Sequence, residues 1–246
     1  MKPYQIFTCR RFPLEQLRKR HEMSNRTQMT LFGGEKEEIK TKIRLENPNF
    51  EHGLVYLSIQ SALRIKSNGF VKQFIDRTKQ IEKVEFQEYF HPVSFSAYYY
   101  PKEKIVIFQA PKDVCKEVGA YIRDNPSDFD QLELVERKID FEKISLYVNE
   151  FFSTWFRGIS AEVRAANLTG TNIQDDPYFK EFLKRGVIKN VIIPLTYENA
   201  EHRIMVTEHS AVVLVDDYRN LTSLELELVL EAKKSIVEKL WKPIDE

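Results

Sequence analysis

The chain has 246 residues, 42% of them hydrophobic and 12% aromatic, enough to bury the core of one large or two small domains and too apolar for a disordered protein. No apolar run approaches the roughly 18 residues of a membrane-spanning helix. The opening MKPYQIFTCRRFPLEQ has no central apolar block with a small-residue cleavage site, so neither a membrane partner nor a secretory signal is expected. The 37 basic and 37 acidic residues balance overall, yet residues 1–125 hold 22 Lys+Arg against 15 Asp+Glu and residues 126–246 hold 15 against 22.

That division predicts a dipolar molecule, either with a basic face for a polyanion or with opposite charges that pack on each other or on a second copy as a homo-oligomer. Cys9 and Cys115 are too few for a disulfide framework or a four-thiolate zinc site and read as buried structural thiols in a reducing, cytoplasmic setting.

In chain order, YQIFTC reads as a strand and PLEQLRKRHEM as a helix with Pro13 in its first turn. TQMTLF, the turn GGEKEE and IKTKIRLE read as a hairpin, with Gly33 and Gly34 supplying positive φ. IKTKIRLE alternates, with Ile39, Thr41, Ile43 and Leu45 on one face and Lys40, Lys42, Arg44 and Glu46 on the other, so a half-buried strand with a basic outer face is expected. GLVYLSIQSALRIK reads as extended, GFVKQFIDRTKQI as helical, and VSFSAYYYPKEKIVIFQAP as a hairpin turning at Pro101-Lys102-Glu103. A helix over PKDVCKEVGAYIRD follows. The turn residues of RDNPSDFD mark the expected boundary between a basic α+β subdomain, 1–125, and an acidic α+β subdomain, 126–246.

Beyond that boundary LELVERKI reads as a strand, and Asp140 is placed to cap a long helix over FEKISLYVNEFFSTWF. DDPYFKEFLKRG carries Asp176 as N-cap, Pro177 at the first helical position and Gly186 past the end. VIKNVIIPLTY, HRIMVTE and SAVVLVDD form an expected antiparallel meander, and a closing helix starts with a capping box from Thr222 to Glu225 and runs to Trp241. Strands in groups with helices between them predict an α+β fold of mainly antiparallel sheets and packed helices, in two closely associated subdomains.

Three constellations bear on function. Arg10, Arg11, Arg18, Lys19, Arg20 and Arg26 outweigh Glu15 and Glu22, and guanidinium groups at that density suit phosphate oxygens, while a solvated helix face is the plainer account of the same run. In SFSAYYY, Ser94, Ser96, Tyr98 and Tyr100 share one face. Left open, that face offers Tyr98 and Tyr100 as platforms for stacked bases; covered by a helix, it is core. Gln28-Met29-Thr30-Leu31-Phe32 resembles the bacterial sliding-clamp-binding motif, which implies Leu31 and Phe32 in an apolar pocket and Gln28 at its rim. The hairpin reading competes for the same residues.

Catalytic signatures are sparse. No phosphate-binding Gly-rich loop, nucleophile elbow or H-E-x-x-H is present. Asp128 or Asp130 ahead of Glu136 and Lys138 matches the loose carboxylate and Glu-x-Lys arrangement of divalent-metal nucleases. His202 and His209, with Glu208, Asp216 and Asp217 nearby, are better explained by hairpin polarity than by a metal. The sequence therefore points to a non-catalytic nucleic-acid-binding accessory protein without metal or cofactor, part of a DNA- or RNA-processing or genome-defence complex. A protein–protein interaction module using the acidic half and Gln28 to Phe32 is the second reading, and a metal-dependent nuclease is the third.

Overall fold

Period-two alternation governs most of the chain, and the computed structural model is accordingly rich in strand. It describes residues 2–31, 35–75, 80–125, 129, 131–216, 218 and 222–243, without the side chains of 2, 24–31, 35–40, most of 64–90 and 222. In chain order the elements are β1 (Lys2–Arg11), α1 (Leu14–Arg20), β2 (Glu22–Leu31), β3 (Glu35–Asn47), β4 (Val55–Ile75), β5 (Gln80–Tyr100), β6 (Ile105–Gln109), α2 (Lys112–Asp124), β7 (Glu133–Glu136), β8 (Ser153–Arg157), β9 (Ala165–Thr169), α3 (Pro177–Arg185), β10 (Val187–Tyr197), β11 (Ala200–Thr207), β12 (Ala211–Leu214) and α4 (Thr222–Ala232). Antiparallel sheet with packed helices makes this an α+β protein. Among the described residues, no helix is long and apolar enough to cross a membrane.

The elements gather into two compact units, both discontinuous in sequence. The first comprises Met1–Thr8, Ile105–Lys112 and Val135–Glu246, the second Cys9–Lys104 and Asp113–Leu134.

In the first unit the strands run β6-β1-β12-β11-β10-β8-β9. Ile6 pairs with Ile107, Tyr4 with Val212 and Ile193 with Ile204, and all six side chains are buried. The expected meander is β10, β11 and β12. α4 packs on β10 and β12 through fully buried Leu226, Leu228, Val229 and Ala232. α3 has the expected ends: the Asp176 carboxylate accepts from the Tyr178 N–H at 2.7 Å, and the Gly186 N–H donates to the Phe182 carbonyl. Its Phe179 packs on Phe151 and Phe156 at ring separations of 5.7 and 5.5 Å.

In the second unit the order is β2-β3-β4-β5. One face is dry, with Met23, Ile43, Leu45, Leu57, Ile59 and Ala97 buried, and α1 lies against β2 and β3 with Leu17 fully buried. Within that layer Thr41 and Ser61 hydrogen-bond to each other at 2.8 Å, which satisfies two buried hydroxyls at once.

Four expectations are corrected. The first helix stops at Arg20, because His21 turns left-handed at φ 58° and Met23 enters β2 opposite Ile43, where it gains burial that a solvated helix end lacks. GFVKQFIDRTKQI is not helical as far as it is described: β4 continues to Ile75 and β5 starts at Gln80, in register from Val55–Tyr99 to Ile75–Gln80 with a bulge between Lys66 and Gly69. A non-local ladder has overridden a local helical spacing.

The long helix after Asp140 is a short 3₁₀ turn, Phe141–Leu146, which Asp140 does cap through the Glu142 N–H. STWF instead forms β8, with Thr154 and Phe156 buried and Trp155 exposed, and its backbone groups are shared between β9 and β10. The closing helix passes through a π turn at Lys233–Val237 and a 3₁₀ turn at Glu238–Leu240. Glu225, in the first turn of α4, is 2% exposed and accepts a hydrogen bond of 2.7 Å from the Tyr4 hydroxyl, which itself accepts from Gln109 Nε2 at 3.0 Å.

Tyr4→Phe removes that donor without changing volume. It is expected to lower unfolding stability by about 1–3 kcal/mol, the cost of weakening a buried hydrogen bond to a carboxyl group. Urea denaturation at unchanged m-value measures it. A change below a few tenths of a kcal/mol would show that the hydrogen bond contributes nothing net.

Candidate nucleic-acid interface

The basic cluster lies in the second unit, where β1 ends and α1 begins. Leu17 anchors the helix, so Arg18, Lys19 and Arg20 in its last turn are exposed, as are Arg10 and Arg11. Cations at a helix C-terminus also complement the helix dipole, which is a structural use for the same charges. Arg10 reaches Glu133 at 3.3 Å and Arg18 reaches Glu15 at 3.0 Å, both pairs well exposed. Among the described residues, Arg11, Lys19 and Arg20 have no carboxylate partner. They form the uncompensated part of the cluster. The Arg26 backbone lies in β2, and its side chain is outside the described residues.

The outer face of the β2–β4 sheet is polar, as the alternation in IKTKIRLE predicts. Glu22, Lys42, Arg44, Ser58 and Gln60 border a shallow depression, with Lys42 and Glu22 3.0 Å apart and Ser58 donating to Glu46 at 2.6 Å. Charges of both signs alternate there, so it offers no continuous cationic track. Tyr98 is 2% exposed, enclosed by Tyr56 and Phe50 at ring separations of 5.5 and 5.8 Å, so its ring face is spent on packing. Tyr100 is half-buried. On the opposite face Phe12 stacks on Tyr99 at 3.7 Å, a pairing with no local sequence signal because 87 residues separate the rings.

Gln28 to Leu31 are the last four residues of β2 and pair with Glu38 to Glu35 of β3, so their backbone belongs to a hairpin; the side chains of Gln28 and Leu31, and Phe32 altogether, lie outside the described residues. Asp128, Asp130 and Asp217 also lie outside them.

The remaining candidates fall in the first unit. Glu136 ends β7, and its Oε1 lies 2.6 Å from His209 Nδ1, off the N–H direction, as an ion-pair contact. His209 Nε2 lies 3.2 Å from Glu208 Oε1, and Lys189 donates to the other oxygen of Glu208 at 2.5 Å. Gln5 Nε2 donates to the His209 carbonyl. Burial opposes ionisation of Glu208, but the Lys189 hydrogen bond and the charges of His209, Lys189 and Lys112 outweigh it and hold its pKa below the ordinary value of 4.5. His202 sits elsewhere, 2.7 Å from the Tyr218 hydroxyl beside the Arg203–Asp216 pair, in which Nε and Nη2 both donate to Oδ1.

Among the described residues, no three His, Cys, Asp or Glu side chains are arranged to hold a metal ion. Cys9 and Cys115 are buried, and burial pushes both thiols up to about 12. No protein family and no curated protein matches the sequence.

Neither thiol is expected to react with a disulfide reagent at pH 8 until denaturant is added, because the thiolate is the nucleophile; stoichiometric labelling of the native protein would contradict the buried placement. Glu208, with its folded pKa lowered, contributes stability that is complete above its unfolded value and lost as pH falls through the folded one. The melting temperature of Glu208→Gln is therefore expected to fall less steeply below about pH 4.5 than that of the wild type, and parallel curves would remove Glu208 from the acid response.

Proposed function

We propose that the protein binds nucleic acid through phosphate contacts from its second unit, without cutting it, as an accessory of a larger DNA- or RNA-processing assembly. The observation that carries this reading is the exposed set Arg11, Lys19 and Arg20, uncompensated by described carboxylates and joined by partly engaged Arg10 and Arg18, at the end of β1 and on the helix α1 that Leu17 fixes to its sheet. Each phosphate neutralised by such a cation releases condensed counterions, the main source of sequence-independent affinity.

The shape of the unit supports the reading. β3 pairs with β4 only as far as Gln60, and from there β4 pairs with β5 alone among the described residues. Residues 62–92 carry six Lys+Arg against four Asp+Glu. A two-stranded ribbon has the width that the major groove of B-DNA admits. Docking of Gln28 to Phe32 on a sliding clamp would instead have to accommodate the ladder that Gln28 to Leu31 form with β3.

Replacing Arg18, Lys19 and Arg20 with Ala is expected to abolish binding to random duplex and single-stranded probes at physiological salt. At low salt the slope of log affinity on log salt should fall by about 0.9 for each duplex phosphate that is no longer neutralised. Melting should change little, since exposed substitutions shift stability by no more than about 0.5 kcal/mol each. No affinity of the wild type for DNA or RNA at low salt would end the proposal, and Mg²⁺-dependent cleavage that disappears in Glu136→Ala or Lys138→Ala would replace it with the nuclease reading.

A further inference from the structure

The first unit contains a cavity of about 140 Å³ between the start of the 3₁₀ turn, the end of α3, the start of β10 and the turn after β11. Its apolar wall is Ile139, Phe141 and Ile188, each under 10% exposed, with Leu183 at 45% on the rim. Ile139 forms an antiparallel bridge with Trp241, closed by the Asp140 N–H to the Leu240 carbonyl at 2.6 Å and the Lys242 N–H to the Lys138 carbonyl at 2.9 Å. That pairing sets Lys138 opposite Lys242 at the cavity. Directly opposed like charges destabilise a strand pair unless something compensates them.

The other charged groups on the wall are largely matched already. Asp140 is held by Lys143 at 3.2 Å, and Glu208 by Lys189 and His209. Among the described residues, Lys138 and Lys242 have no carboxylate partner, and only exposed Glu142 remains against them. Among the described residues, the unmatched charge on this wall is one net positive.

We propose that this cavity binds a small organic monocarboxylate with a branched or aromatic body, its carboxylate between the Lys138 and Lys242 ammonium groups and its body on Ile139, Phe141, Leu183 and Ile188. The volume sets the size, since an apolar cavity of about 150 Å³ takes a ring the size of benzene. The carboxylate adds selectivity, because a neutral isostere of the same shape gains the apolar contact and forgoes the two lysines. This site is separate from the proposed phosphate contacts and does not rest on them.

Benzoate and 4-methylpentanoate are the probes, with benzamide and 4-methylpentanamide as neutral counterparts, titrated into the full chain while the amide resonances of Ile139, Phe141 and Ile188 are followed. Saturable shifts are expected with the acids, and binding about tenfold weaker with the amides. Lys138→Met with Lys242→Met should keep the melting temperature and abolish the preference for acid. Leu183→Ala, at the rim, should weaken acid and amide together. The proposal is overturned by acid and amide binding alike, by a double variant that keeps the preference, or by no saturable shift at about 10 mM probe.

Discussion

A single buried carboxyl group organises the first unit. Glu225 sits in the apolar layer beneath α4, where an unsatisfied polar group costs several times what its hydrogen bond returns. The Tyr4 hydroxyl from β1 donates to it, and Tyr4 is positioned by pairing with Val212 and by the amide of Gln109 in β6. Helix α4, strand β1 and both neighbours of β1 therefore meet in one register. A slip of β1 by one residue would carry the tyrosine to the other face of the sheet and break that hydrogen bond. The apolar pairs supply the driving force for packing, and this polar contact selects which packing is adopted.

The second unit has the opposite design. Its sheet has a dry face under α1 and a polar face on which Lys42, Arg44 and Ser58 are interleaved with Glu22 and Glu46. Leu17 does for α1 what a long amphipathic stripe does for longer helices: by burying one side chain completely, it leaves the last turn free to present cations. Seven residues are too few for a helix that is stable alone. The presentation of Arg18, Lys19 and Arg20 is thus a product of tertiary packing, and loosening Leu17 would blur the surface it supports.

Legibility in the sequence followed the range of the forces involved. The ends of α3, the meander of β10 to β12 and the alternation of β3 were readable, since caps and period-two patterns are local. The segment 141–156 reads as helix because Phe141, Ile144, Val148, Phe151 and Phe156 fit a helical stripe. They bury instead through a 3₁₀ turn, irregular chain and strand β8, whose partners β9 and β10 lie later in the sequence. Residues 69–75 and 80–81 were misread for the same reason, since their ladder forms across the hairpin. At the candidate interface the exposed basic run was evident from its composition. The enclosure of Tyr98 by Phe50 and Tyr56 was not, because period-two spacing places the ring on a face without saying what covers that face.

Charge shows the same limit most sharply. Cut at residue 125, the chain divides into strongly basic and strongly acidic halves. As folded, the second unit also takes in the acidic stretch 113–134, and its totals are 20 Lys+Arg against 18 Asp+Glu. A unit so nearly neutral cannot attract a polyanion by its overall field. With a screening length of about 8 Å at physiological ionic strength, what an approaching phosphate meets is the charge within one or two side chains' reach. Under the proposed reading recognition is local, through Arg11, Lys19 and Arg20, because among the described residues the neighbouring carboxylates Glu15 and Glu133 are already engaged by Arg18 and Arg10. On that reading the two ion pairs would favour binding, for they withdraw acids that would otherwise compete with phosphate for the remaining cations.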